Sequence, residues 1–237
     1  MLRAILFDLD GTLLPMDQDL FVKSYLKGMA VRMAGFGYAP STLVDGSWAG
    51  TSAMVSNDGM RINEDVFWKT FSSYMGKDAR QDEKLFEDFY RNEFQSVRQV
   101  CGFAPEAAAL ISDIKKIGLR VGLATNPLFP AIATHSRIRW AGLVPEDFEI
   151  VTTYENSRFC KPNPDYYREI LDMMELAPED CLMVGNDAVE DLAAQVLGIK
   201  VFLLTDCLIN TKNIDISRCP QGGFEQLRDY IWELLGQ

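Results

Sequence analysis

The sequence lacks the features that would indicate a secreted, membrane-spanning or thiolate-metal protein. Its five cysteines are odd in number and none are spaced as CxxC, so neither a disulfide framework nor a zinc site is expected. No apolar run is long enough to cross a bilayer, and only four apolar residues separate Arg3 from Asp8, too few for a signal peptide. We therefore predict a cytoplasmic protein with reduced thiols.

Basic residues and histidine are also scarce. The chain has 23 Lys and Arg against 34 Asp and Glu, a formal net charge of −11. An acidic surface repels nucleic-acid backbones and anionic membranes, so we expect neither as a partner. The single histidine, His135, falls within a predicted helix and is interpreted as structural or surface. The sequence does not indicate an oligomeric state.

The apolar pattern that is present alternates between strands and helices. The strings LRAILFD, LRVGLAT, FEIVTT, CLMVG and KVFLLT read as strands, and the residues between most of them have helical spacing. This alternation predicts a doubly wound, parallel-sheet α/β core with right-handed crossovers. The helices of the core are predicted at 105–118, 130–142, 164–176, 188–197 and 223–235, with a loop at 206–222.

The region from 16 to 100 has a different pattern, with apolar residues three to four positions apart and no convincing strand. Helices are predicted there at 18–35, 40–55, 64–76 and 81–98. We therefore predict two domains, an α/β core formed by 1–15 and 101–237 and an all-helical domain formed by 16–100.

Polar residues follow four of the predicted strands. In such sheets ligands bind beyond the carboxyl ends of the strands, so these residues are expected to meet in one place. The first group is Asp8-Leu9-Asp10-Gly11-Thr12, where one carboxylate could attack phosphorus and the other could pass a proton to the leaving group. Taken alone, the pattern favours a strand end whose aspartates cap the following turn.

The other three groups are each ambiguous by themselves. Thr125 and Asn126 suit phosphoryl oxygens but are also common in turns. Lys161 could offset negative charge, although most lysines near a helix start are merely solvated. Asp187 and Asp191 would lie on one face of a helix that begins near Ala188, where acidic residues are favoured anyway. Together with Asp8, these acids could form an all-oxygen site for Mg²⁺.

The ordered set of four groups resembles the haloacid dehalogenase-like (HAD) hydrolase superfamily, in its phosphatase branch, similar to phosphoglycolate phosphatases. The resemblance covers the whole chain, because the helical insert occupies the place of that family's type-1 cap on a Rossmann-like core. It implies a Mg²⁺-dependent phosphatase acting on a small phosphorylated metabolite, with Asp8 as the nucleophile that forms an aspartyl-phosphate. Asp10 would be the general acid and base, and dehalogenases typically lack it, which favours phosphoryl transfer.

The resemblance also implies roles for the remaining residues. Thr125, Asn126 and Lys161 would bind the phosphoryl group, with Lys161 also steadying the nucleophile. Mg²⁺ would be held by Asp8, by the backbone carbonyl of Asp10 and by Asp187. Asp191 and Thr12 would contact these ligands or their neighbours without binding the metal directly. One departure concerns Asn186, which stands between the usual Gly-Asp pair of the acidic motif and leaves its own role open.

Several alternatives remain open at the level of sequence. A phosphomutase would share every core residue. A phosphonate hydrolase would need a reactive cap lysine, and nothing distinguishes Lys23 or Lys27 in that respect. From a different class, a phospho-accepting signalling domain also gathers acids, a threonine and a lysine on an α/β sheet, but it accepts phosphate on a later strand and has no such insert. An inactive binding protein would be expected to have lost a motif residue.

Overall fold

The computed structural model describes residues 1–236 as a parallel β-sheet flanked by helices. In this part of the chain six strands, all parallel, lie in the order β3-β2-β1-β4-β5-β6. The predicted doubly wound α/β fold is confirmed. The strands are β1 (Ala4–Phe7), β2 (Arg120–Leu123), β3 (Ile150–Val151), β4 (Cys181–Gly185), β5 (Lys200–Leu204) and β6 (Gln221–Gly222).

The helices begin where the local chemistry favours a cap. Asp17 accepts a hydrogen bond from the backbone N–H of Leu20 at 2.9 Å, and Asn163 does the same for Asp165 at 2.9 Å. The α-helices are α1 (Gln18–Ala34), α2 (Pro40–Val55), α3 (Asn63–Met75), α4 (Glu83–Arg91), α5 (Pro105–Lys116), α6 (Ala131–Trp140), α7 (Pro164–Met174) and α8 (Phe224–Leu235). Short 3₁₀ helices occupy Ala79–Asp82, Glu93–Val100, Pro145–Asp147, Pro178–Asp180 and Leu192–Leu197.

Strand β1 lies in the middle of the sheet and is buried on both faces. Ile5 and Phe7 belong to a large apolar cluster that continues into α5 and the helices of the insert. Ala4 and Leu6 point to the opposite face and pack in a second cluster with α7. Side chains alternate across a strand, so one four-residue strand serves both cores. The loop after β1 is thereby fixed at the centre of the sheet's carboxyl edge.

The two ends of the helical segment, residues 16–100, lie next to each other where the segment joins the sheet region. Met16 and Cys101 form an isolated β-bridge, and the N–H of Gly102 donates to the carbonyl of Pro15 at 2.7 Å. Within the described residues, no strand lies between these two ends. The segment also contacts the core at the start of α3, where the N–H of Glu64 donates to the carbonyl of Tyr154 at 2.8 Å.

Some predicted elements differ from those observed. The predicted helix over 81–98 is interrupted at Asn92, whose side-chain amide donates to the carbonyl of Asp88 at 2.7 Å and so competes with helix continuation. Strand β3 has two residues where six were predicted, and β6 lies within the predicted loop. The α-helix predicted over 188–197 is wrong, since only a 3₁₀ helix from Leu192 forms there.

Candidate active site

Asp8 lies immediately beyond β1 with its side chain almost fully buried. Lys161 donates to one carboxylate oxygen of Asp8 at 2.8 Å, and the hydroxyl of Thr12 donates to the other at 3.1 Å. Burial raises the pKa of Asp8 to about 7, against the opposing attraction of Lys161. A buried carboxylate is costly without such partners, so the arrangement singles out Asp8 as a functional candidate.

Lys161 joins two of the four predicted groups. Its ammonium is fully buried and lies 2.8 Å from Asp8 and 2.7 Å from Asp191. Burial alone would lower the pKa of Lys161, but the charges of Asp191 and Asp8 raise it well above its usual value. The lysine therefore stays charged and holds the loops after β1, β3 and β4 together.

Asp191 fixes the backbone of the loop after β4. One of its carboxylate oxygens accepts from the backbone N–H groups of both Asn186 and Asp187, at 3.0 and 2.9 Å. A side chain at Gly185 would overlap with that carboxylate, so only glycine permits the close approach. Asp187 in turn accepts from the N–H groups of Val189 and Glu190, at 2.7 and 2.9 Å. Asp187 thus caps the turn that follows it, in which the N–H of Asp191 donates to the carbonyl of Asp187 at 2.9 Å, and beyond that turn the chain forms the 3₁₀ helix from Leu192.

Asp10 is held by a residue that the sequence analysis did not select. Arg137, on α6, forms an ion pair with Asp10, and its side chain is almost completely buried. The guanidinium also lies 4.4 Å from the ring centre of Phe129. Burial raises the pKa of Asp10, although Arg137 and then Lys161 act to lower it. The signal in the sequence was helical phase, because Arg137 shares a face with the buried residues Ala133 and Trp140.

Thr125 and Asn126 follow β2, as expected, and face the same edge. The carbonyl of Thr125 accepts hydrogen bonds from the hydroxyls of Thr152 and Tyr166, at 2.6 and 2.8 Å, which fixes the turn. The amide of Asn126 donates to the carboxylate of Glu190 at 2.9 Å. Burial raises the pKa of Glu190 to about 8. Glu190 lies inside the acidic motif, but its spacing alone gave no reason to separate it from a solvated helix residue.

Asn186, whose role the sequence left open, links the loop after β1 to the loop after β5. Its side-chain oxygen accepts from the hydroxyl of Thr12 at 3.1 Å, and its amide donates to the carbonyl of Cys207 at 2.7 Å. Gly11 has a positive φ of 84°, and a side chain there would overlap with Asn186. The loop after β1 can therefore pack closely on Asn186 only because Gly11 is a glycine.

The three residues predicted to hold a metal, Asp8, Asp10 and Asp187, are not grouped as a ready-made cluster. Over residues 1–236, no three His, Cys, Asp or Glu side chains meet in an arrangement that would hold an ion. Asp10 does present one buried carboxylate oxygen that has no hydrogen-bond partner. Asp8, Asp10 and Asp187 supply the hard oxygen donors that Mg²⁺ prefers. The donor chemistry is therefore suitable, and the ligand set stays a prediction.

Comparison with known proteins identifies the family. The family described as haloacid dehalogenase-like hydrolase matches residues 2–198, which include all four strand-end groups. The chain belongs to this family, so the resemblance drawn from its motifs and the prediction of a hydrolase are confirmed. In the described part of the chain, no helix is both long and apolar enough to cross a bilayer.

Individual relatives agree with this assignment at low identity. The pyrophosphatase PpaX of Bacillus cereus is 23% identical over 199 residues, covering 84% of this chain and 81% of the relative. The HAD phosphatase of Thermococcus onnurineus is 16% identical with a TM-score of 0.63, covering 97% of this chain and 98% of the other. The HAD hydrolase YfnB of Bacillus subtilis, solved with bound magnesium, is 18% identical with a TM-score of 0.57 over 100% and 99% of the two chains. At these identities the solved structures establish the fold.

Proposed function

We propose that the protein is a Mg²⁺-dependent phosphatase that hydrolyses small phosphomonoesters through an aspartyl-phosphate on Asp8. The observation that carries this proposal is the buried triad of Asp8, Lys161 and Asp191, with Asp10 two residues beyond the proposed nucleophile. A signalling domain would accept phosphate on a later strand, whereas Asp8 follows β1. Family membership and the phosphatase names of several relatives support the same proposal.

The proposed chemistry has two displacements at phosphorus. A carboxylate oxygen of Asp8 attacks phosphorus, the bond to the leaving oxygen breaks, and Asp10 donates its proton to that oxygen. Asp10 then accepts a proton from water as the water attacks phosphorus, and the bond to Asp8 breaks with release of phosphate. Lys161 offsets the charge on the phosphoryl oxygens, with Thr125 and Asn126 as further donors.

Mg²⁺ would be held by Asp8, the backbone carbonyl of Asp10 and Asp187. When bound it would supply charge neutralisation at the phosphoryl group. Asp191 and Thr12 hold Lys161 and Asp8 in position, which is consistent with supporting roles. The magnesium-bound relative YfnB supports this part of the proposal by analogy alone.

The helical segment would serve as the cap domain of 16–100 on a core of 1–15 and 101–237. It would exclude water and select the leaving group of a small phosphorylated metabolite. We expect the reaction to take place in the cytoplasm, without a nucleic-acid or membrane partner, because the chain is acidic and has few basic residues.

The test is phosphate release from a panel of small phosphomonoesters, with Mg²⁺ and with EDTA, by the native protein and by Asp8→Asn. We expect Mg²⁺-dependent release that Asp8→Asn abolishes while its circular dichroism stays native. Asp172→Asn, an exposed aspartate on α7, is the matched control and should keep full activity. Full activity in Asp8→Asn would overturn the mechanism. No release from any ester would favour a phosphomutase or a binding protein.

A further inference from the structure

A cavity of about 450 Å³ lies between the helical segment and the core. Its walls come from α1 to α4, from residues 128–132, which include the first residues of α6, and from residues 154–155. This volume is within the range of small-molecule sites. Phe129 lines the cavity and also lies under the guanidinium of Arg137, the ion-pair partner of Asp10. Through Phe129, one wall of the cavity is therefore next to the ion pair of Arg137 with Asp10, on the side to which a leaving group could extend.

The cavity walls are mainly apolar and strongly aromatic. Rings from every one of the helices α1 to α4 contribute, together with two rings from the core. Trp48 stands at the wall with about half of its side chain exposed, at 52%. A flat apolar body would be stabilised by these rings, and a cation would gain further attraction from their faces. The aromatic side chains of the wall include Tyr25, Trp48, Phe67, Trp68, Tyr90 and Phe129.

The charged groups of the lining are all of one sign. Within the described residues the lining includes four glutamates and no lysine, arginine or histidine. Glu64 and Glu83 are paired with Arg80, whose guanidinium lies outside the lining at 3.1 and 3.7 Å. Glu155 accepts from the N–H of Ala131 at 2.8 Å, which offsets part of its charge. Glu87 is paired with Arg91, which also lies outside the lining, at 3.2 Å. Two arginines cannot balance four glutamates and Asp65, so the cavity keeps an excess of negative charge.

We propose that this cavity binds an apolar or aromatic amine, so that the preferred substrates are phosphomonoesters whose leaving group carries a positive charge. The substrate preference rests on the proposed phosphatase function, whereas the preference of the cavity for binding a cationic aromatic molecule does not. It also separates this chain from enzymes that release acidic leaving groups, since a second anion would face four glutamates and no lysine, arginine or histidine in the lining.

The test uses three aryl phosphates that share a phenolic leaving oxygen and differ in the charge of the para substituent. These are tyramine O-phosphate (cationic), 4-ethylphenyl phosphate (neutral) and the O-phosphate of 3-(4-hydroxyphenyl)propionate (anionic). We expect kcat/KM to fall in that order by roughly 10-fold or more for each charge step, and the spread to narrow at high salt. An anionic substrate equal to or better than the cationic one would overturn the inference and leave the phosphatase proposal intact.

Binding is measured separately with the three free phenols, by tryptophan fluorescence and calorimetry on Asp8→Asn. Tyramine should bind more tightly than 4-ethylphenol, and the phenolic acid least. This order would support the cavity assignment even if no ester were hydrolysed, in which case only the phosphatase proposal would fail. Equal binding of all three phenols, or no binding, would overturn it.

Two pairs of variants assign the effect to the cavity. Glu83→Gln should reduce the ratio of kcat/KM for the cationic ester to kcat/KM for the neutral ester about 3-fold to 10-fold, with little change in kcat/KM for the neutral ester. Glu93→Gln, which changes a glutamate paired with Arg32 outside the lining, should leave this ratio unchanged. Trp48→Ala should weaken binding of all three phenols, whereas Tyr74→Ala removes an aromatic side chain of similar exposure, 49%, and should leave binding unchanged. Equal effects within either pair would contradict the proposed site.

Discussion

The carboxyl edge of the sheet and the helical segment differ in whether their charged side chains are buried or exposed. At the edge, Lys161 and Arg137 are fully or almost fully buried and each is paired with an aspartate. In the helical segment, the guanidinium groups of Arg80 and Arg91 are 41% and 61% exposed, and the interior is filled by aromatic rings. Buried pairs hold loops in a defined geometry but cost desolvation energy, whereas packed rings stabilise the fold by removing apolar surface from water.

The largest effect should follow from removing the central cation. Lys161→Met leaves Asp8 and Asp191 buried without the cation that both of them contact, and we expect a loss of about 3–5 kcal/mol in the free energy of unfolding. Phosphoryl transfer should fall by roughly 100-fold or more in the folded fraction, since one positioned donor is lost. Urea denaturation and phosphate release measure the two effects. Lys200→Met, an exposed lysine on β5, is the control, and an equal loss there would contradict the argument.

The next effect concerns the other buried cation. Arg137 lowers the pKa of Asp10 against the effect of burial, so Arg137→Met should raise that pKa further. If Asp10 donates a proton to the leaving group, it then stays protonated to higher pH, and the alkaline limb of the pH–rate profile moves upward. The measurement is kcat/KM against pH for an ester with a poor leaving group.

Arg139→Met, an exposed neighbour on α6, is the control for this shift. Its profile should coincide with that of the native protein. A downward shift of the alkaline limb in Arg137→Met would contradict the assignment of Asp10 as the acid. An unchanged profile would mean that Arg137 has only a structural role.

The contrast between the two regions also explains what could be predicted from the sequence. Strand positions and the four strand-end groups follow from short apolar runs that end in polar residues, and the structure brings Asp8, Lys161 and Asp191 into direct contact. The helices of the insert follow from apolar spacing. These features depend on local pattern, which a single sequence displays.

The features that were missed depend on tertiary contacts. Arg137 is 127 residues from its partner Asp10, and no local pattern links an arginine on an amphipathic helix to a distant strand. The loop after β4 has the composition of a helix start, and Asp187 does cap a turn there, but beyond that turn only a 3₁₀ helix forms from Leu192. The cavity is formed by four helices and two loops at once, so its charge balance appears only when the chain is folded.

A moderate effect should come from the backbone that supports this loop. Gly185→Ala places a methyl group against the carboxylate of Asp191, and relief of that overlap should cost about 1–3 kcal/mol. Activity should fall as well, because Asp191 holds Lys161. Gly28→Ala is the matched control from the helical segment, since its new methyl would meet only Phe89 at an ordinary 3.6 Å. That control should gain about 0.5–1 kcal/mol, because alanine favours a helix interior. Thermal unfolding of the two variants in parallel tests the opposite signs.

The smallest effect is expected for an exposed pair in the helical segment. Arg91 and Glu87 lie one helical turn apart at 3.2 Å, with side-chain exposures of 61% and 48%. Water and salt screen such a pair, so Arg91→Gln should change the free energy of unfolding by only about 0.2–0.5 kcal/mol. Comparison of this variant with Lys161→Met in the same urea titration, at low and high salt, measures the difference between the regions. A loss above about 2 kcal/mol for Arg91→Gln would mean that charge also organises the helical segment, because no exposed pair of this kind contributes so much.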